Sequence, residues 1–122
     1  MELAVPNFVQ SVTSPHQALM IDGIPTVDIG AGCLRRDLPS TPGVRLWIVD
    51  MQPGAQWPHV DHHDTGEGFY VIDGELIEGE RRHCAGTWVH FAPGTWHQPR
   101  TVSGVRLLGY NLNVAAFNAA IP

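Results

Sequence analysis

"GAQWPHVDHHDTGEGFYVIDGE" (residues 54–75) contains, at 59–67, three histidines, three acids and a glycine in nine positions. Titratable residues at this density raise the question of a shared metal ion. Read as a strand over 57–63, side chains alternate, so His59, Asp61 and His63 share one face while Val60 and His62 point the other way. "DTGE" (64–67) then reads as a tight turn in which Gly66 supplies backbone freedom, and Glu67 opens the next strand with its carboxylate facing back across the hairpin. Thirty residues on, "APGTWH" (92–97) places His97 after a Pro-Gly turn, at the start of a further strand. Imidazoles and a carboxylate on inward faces of adjacent strands are the ligand chemistry of Zn, Mn, Fe, Ni or Cu sites. A solvated acidic hairpin at the surface has the same composition, and spacing alone does not separate the two.

Outward from this stretch, "VRLWIVDM" (44–51), "GFYVIDG" (68–74), "TWVHFAP" (87–93) and "VRLLGYNLNV" (105–114) read as strands bounded by Gly and Pro turn signals. No stretch of twelve residues holds a helical period, and "PHQALMIDGI" (15–24) has room for one helical turn. Short strands at regular spacing predict an all-β sandwich or barrel. At 122 residues the chain is expected to form a single domain, 1–122, with an adequate core.

The formal net charge is −5 and the chain has no lysine, so a nucleic-acid or anionic-membrane partner is not expected. No apolar run approaches the roughly 20 residues that span a bilayer. "MELAVPNFVQS" (1–11) lacks the charged and apolar regions of a signal peptide, so the expected location is cytoplasmic. Cys33 and Cys84 lie far apart without CxxC spacing, and reduced thiols are the default.

With 54–75 and "GTWVHFAPGTWHQPRT" (86–101) side by side, the chain resembles the cupin superfamily. His63, Glu67 and Gly74 keep the frame of the first cupin motif, and Pro93, Gly94 and His97 that of the second. The resemblance covers about residues 44–114 and is nearest to the cupin half of zinc-binding anti-sigma factors. No helical domain able to grip a sigma factor precedes the barrel in this sequence, so that partner is not expected. The resemblance implies a double-stranded antiparallel β-helix, a jelly-roll-like barrel with a metal at the floor of its mouth. The first histidine of the family's His-x-His pair falls here on Asp61. The implied ligands are therefore His63, Glu67 and His97, with Asp61 or His59 as the fourth; His62 is the less favoured alternative, belonging to a frame shifted by one.

The implied cofactor is one divalent transition metal ion: Zn, Fe, Mn or Ni. An open coordination position on iron would suit a dioxygenase; on the other metals, a Lewis-acid isomerase or lyase. Trp57 and Trp96 are the expected pocket-lining residues, although core packing is the ordinary fate of aromatic side chains. Arg100 and Arg106 are candidate anchors for an acidic substrate, against the commoner role of surface arginine. His83, His90 and His16 read as loop or packing residues. Three functions compete: a metal-dependent enzyme on a small organic molecule, a non-enzymatic metal- or ligand-sensing module, and a barrel whose site has decayed. A homodimer is expected, with strands from the first 40 residues crossing to the partner.

Overall fold

The computed structural model describes residues 16–63 and 66–121, apart from the side chains of residues 62, 63, 114 and 117. After a 3₁₀ turn at Ile21–Gly23 come β1 (Val27–Gly30), β2 (Cys33–Leu38), β3 (Val44–Met51), β4 (Asp61–His63) and β5 (Gly66–Glu78). Then follow β6 (Arg81–Cys84), β7 (Trp88–Phe91), β8 (Thr95–His97), β9 (Val105–Leu112) and a short helix α1 (Val114–Ala120). The main sheet runs β1-β2-β3-β9-β5, with β7 and β6 pairing successive parts of β5, and all pairings are antiparallel. A smaller layer is built from β4 and β8. A backbone bond from Trp57 N to Pro99 O (2.8 Å) joins the segments flanking β4 and β8, and one from Ile77 N to Arg100 O (2.7 Å) ties them to the second half of β5. The expected all-β barrel is the observed architecture.

β5 serves both layers because it changes direction midway. Its register against β9 slips between Val71 and Asp73, and Gly74 follows with φ +79°. A Cβ at Gly74 would lie 2.0 Å from the Gly104 carbonyl oxygen, so the bend admits only glycine.

Strand alternation gives the sheet an inner and an outer face. Registers align Cys33 with Met51 and Val105, and then Arg35 with Val49, Leu107 and Val71. Next come Asp37 with Trp47, Gly109 and Phe69, and at the open end Arg45 with Asn111 and Glu67. The closed end of this face is the core: Cys33, Val49, Met51, Phe69, Val71, Leu76, Val105 and Leu107 are buried together. Fully burying such aliphatic and aromatic side chains contributes roughly 1.5–3 kcal/mol each. The thiols of buried Cys33 and exposed Cys84 are free.

β3 coincides with the expected strand. β9 stops at Leu112, where Asn113 Oδ1 accepts from Ala116 N and caps α1. The expected strand at 57–63 is shorter: pairing begins at Asp61, because Pro58 has no N–H and Trp57 N is already bonded to Pro99. His97 closes β8 rather than opening a strand. Of the segment expected to reach a partner, β1 pairs with β2 and β2 with β3 of the same chain; residues 1–15 lie outside the described part, as do positions 64–65 of the "DTGE" turn.

Gly109 lets the Trp47 ring lie across β9: a Cβ there would meet the indole at 2.1 Å. Gly109→Ala is expected to destabilise the fold by about 1–3 kcal/mol through forced displacement of that ring. Urea denaturation measures it, and Trp47→Ala in the same background should relieve the clash.

Candidate metal centre

Two layers meet at the barrel mouth, and the site lies between them. On the β4–β8 ribbon Asp61 stands directly opposite His97. Across the cavity Glu67, the second residue of β5, sits on the inner face and is 5% exposed. His97 Nε2 is 3.5 Å from Asp61 Oδ2 and 3.9 Å from Glu67 Oε2. One donor atom from each of Asp61, Glu67 and His97 falls within 4.8 Å of the other two, as a metal ion would require.

The surroundings hold these donors in place. Trp47 Nε1 donates to Asn111 Oδ1 (2.8 Å), which orients the amide so that Asn111 Nδ2 donates to Glu67 Oε1 (2.5 Å). Glu67 Oε2 is thereby left on the side of His97. On the other side of the imidazole, His97 Nδ1 lies 3.2 Å from Glu78 Oε2, and His83 Nε2 lies 3.6 Å from Glu78 Oε1. A carboxylate behind the far nitrogen of a histidine fixes its ring and raises its basicity as a ligand. Phe91 packs edge-on against the same ring at 4.7 Å between centroids.

Burial, and then the neighbouring Asp61 carboxylate, push Glu67 up to about 7, against the Asn111 hydrogen bond and His97. Burial pulls His97 down, but hydrogen bonds and charge from Asp61 and Glu78 outweigh it and raise the imidazole to about 9. Two carboxylates share this half-buried space, and a divalent cation would relieve their repulsion while displacing both protons. One imidazole and two carboxylates suit Fe, Mn, Zn or Ni and do not choose among them.

A cavity of about 240 Å³ opens above this set, below the usual size of drug-binding pockets. Trp57 and His59 line it together with Trp47, Met51 and Ile29, and His59 meets Trp57 edge-on at 5.7 Å. His59 is thus on the cavity wall but outside the Asp61–Glu67–His97 cluster. The side chains of His62 and His63 lie outside the described part; their backbones pair with Trp96 and Thr95. Trp96, expected on the wall, is 67% exposed and absent from the lining, since it alternates with inward-facing His97.

Arg106 and Arg100 do not reach the cavity either. Arg106 pairs with Asp50 (2.7 Å) and Asp22 (2.9 Å) on the outer face, and Arg100 is exposed outside the cavity lining. The arginines that line the cavity are Arg35 and Arg45. Sequence reasoning also missed Glu78, Asn111 and Trp47. Their strand parity with the inner face was the available signal, but it becomes usable only once the registers are known.

The pH dependence has a definite sign. Glu67 rises from 4.5 to about 7 and His97 from 6.5 to about 9 on folding, so each protonated form stabilises the metal-free fold. That stability is lost as pH climbs through those folded-state values. Chelator-treated protein should therefore lose thermal stability between about pH 5 and 9. Apparent metal affinity should rise over the same window, with protons released on calorimetric titration. Asn111→Ala should cost roughly 10–100-fold in metal affinity by freeing Glu67, as measured by competition with a chelating dye.

Among solved structures, that of Rhodobacter sphaeroides SigE in complex with the anti-sigma ChrR superposes with TM-score 0.69 at 17% identity over 76% of this chain. The chain spans about half (51%) of that structure. An RmlC-like cupin from Shewanella frigidimarina matches with TM-score 0.67, 22% identity and coverage of 80% of this chain and 89% of that one. An acetylacetone dioxygenase from Acinetobacter johnsonii gives TM-score 0.70 at 12% identity, covering 82% and 75%. Curated protein sequences yield no match. At these identities the likeness shows the cupin fold. The family model described as the ChrR cupin-like domain matches residues 15–113. That span takes in both cupin motifs and every donor of the cluster, and places the chain in the ChrR cupin-like family.

Proposed function

We propose that this cupin is a metal-dependent enzyme acting on a small organic molecule in the barrel mouth, with a dioxygenase as the leading reaction class. The observation that carries the reading is the convergence of Asp61, Glu67 and His97 on one point at the floor of a small cavity lined by Trp47 and Trp57. Asp61, Glu67 and His97 would hold the ion, and the motif frame adds His63 as a further ligand. His59 on the cavity wall is the other candidate. A bound iron, zinc, manganese or nickel ion supplies Lewis acidity and, for iron, a site for dioxygen. The chain's own contribution is positional. Asn111 and Glu78 fix the ligand side chains, and the aromatic and aliphatic wall shields a small substrate from water.

A non-enzymatic sensing module is the second reading. It is favoured by the superposition on the cupin part of the ChrR complex with SigE. No helix among the described residues is long and apolar enough to cross a membrane; a cytoplasmic location is part of the proposal.

Elemental analysis of untagged protein decides first. About one equivalent of metal is expected, with His97→Ala losing most of it and His63→Ala weakening it. Oxygen uptake with small diketones by the iron form supports the enzyme. Stoichiometric metal without turnover of diketones, phenols or thiols supports the sensor. Absence of metal after reconstitution overturns both.

A homodimer is also proposed, because Trp88, Tyr70 and Ile72 are exposed on the outer side of the sheet, with Trp88 stacked on Tyr110. Light scattering should give about twice the 13.4 kDa chain mass, and a clean monomer would refute it.

A further inference from the structure

Besides Asp61, Glu67, His97, Asn111 and His59, the cavity lining carries two arginines, both on the main sheet. Arg35 of β2 lies on the inner face in register with Val49, and Arg45 of β3 in register with Asn111 at the open end. Both line the cavity. A guanidinium in an apolar wall is costly unless paired, and Arg35 has a partner: its Nε is 3.0 Å from Asp37 Oδ1, and its Nη2 donates to Asp37 Oδ2 at 3.3 Å.

Arg45 reaches the same Asp37 Oδ1 at a longer 3.5 Å, with 60% of its side chain exposed. Two guanidiniums therefore share one carboxylate, and one positive charge is left over on the cavity wall. The rest of the chain is net negative, and Arg36, Arg82 and Arg106 each have an acidic partner elsewhere. A surface ion pair as long as Arg45–Asp37 contributes little to stability, so fold stability alone does not explain a second arginine here. What the planar fork of arginine suits is a carboxylate, held by two parallel hydrogen bonds.

The same cavity is lined by Trp47, Met51, Ile29 and Trp57, which fits an apolar body. We infer that Arg45, backed by Arg35, is the anion subsite of this cavity and that the ligand is a small monocarboxylate with an apolar body. Asp37 occupies the subsite's guanidiniums when the ligand is absent and competes with it. This inference rests on the proposed reading of the cavity as a small-molecule site and narrows the substrate class.

The test is calorimetric titration of the metal-loaded chain with benzoate, phenylacetate and hexanoate, each against its uncharged amide, with metal content measured for every variant. Wild-type protein is expected to bind at least one acid and not its amide. Arg45→Gln should weaken that binding about tenfold, the effect of one charge-assisted hydrogen bond pair, with metal content unchanged. Asp37→Asn should strengthen it several-fold by removing the competitor, a direction that structural damage would not produce.

Equal acid binding in wild type and Arg45→Gln would overturn the inference, because the metal alone would then be holding the carboxylate. So would amides binding as well as acids, or no acid binding at all. In those cases intact metal content leaves the metal-site reading standing. Loss of metal from wild type sinks that reading by itself, while the arginine comparison still decides this one.

Discussion

Burial of Glu67 against Asp61 and His97 is the constraint on which the rest of the structure turns. A carboxylate that is 5% exposed and has a second carboxylate as neighbour is held up at about 7, while Asp61 and Glu78 draw the imidazole up to about 9. Both raised values favour the protonated forms in the metal-free fold. A divalent ion, as proposed, would substitute for those protons and so link the chemistry of the site to the stability of the fold through the same three side chains.

One strand supplies a carboxylate to each of the two nitrogens of His97. Glu67 stands near the start of β5 and Glu78 at its end, and they lie 3.9 Å from Nε2 and 3.2 Å from Nδ1. A straight strand of this length would hold its ends about 36–40 Å apart. The bulge after Val71 and the bend at Gly74 turn β5 from the main sheet into the smaller layer, and His97 sits between its two arms. Gly109 acts in the same way at one remove: its missing Cβ admits the Trp47 ring, and Trp47 orients Asn111 toward Glu67. Two glycines remote from Asp61, Glu67 and His97 thus set the geometry of the cluster.

The charge on the cavity lining is divided between different strands. Acids and the imidazole gather where β4, β5 and β8 meet, and the arginines stand on β2 and β3. The outer face keeps its own ion pairs, Arg36 and Arg106 on Asp50, which leave those arginines no part in the cavity. Adjacent residues Arg35 and Arg36 have separate roles because the strand alternates faces between them.

The sequence by itself determined the class of fold, since Gly and Pro punctuation and short β-rich runs admit little else, and the two motif frames name His63, Glu67 and His97 as candidate ligands. It also kept Asp61 in play through the His-x-His position that it occupies. It did not show the register-dependent residues. Glu78 reads as part of a polar turn, Arg35 as half of an arginine pair, and Asn111 as a strand-end polar residue until β9 is laid between β3 and β5. His59 was read on a strand that Pro58 prevents, and Trp96 on a wall from which alternation with His97 excludes it. Local pattern fixes which residues can form a strand and bind a metal. Which of them meet depends on register and on the bend of β5, and those are set by contacts between segments far apart in the chain.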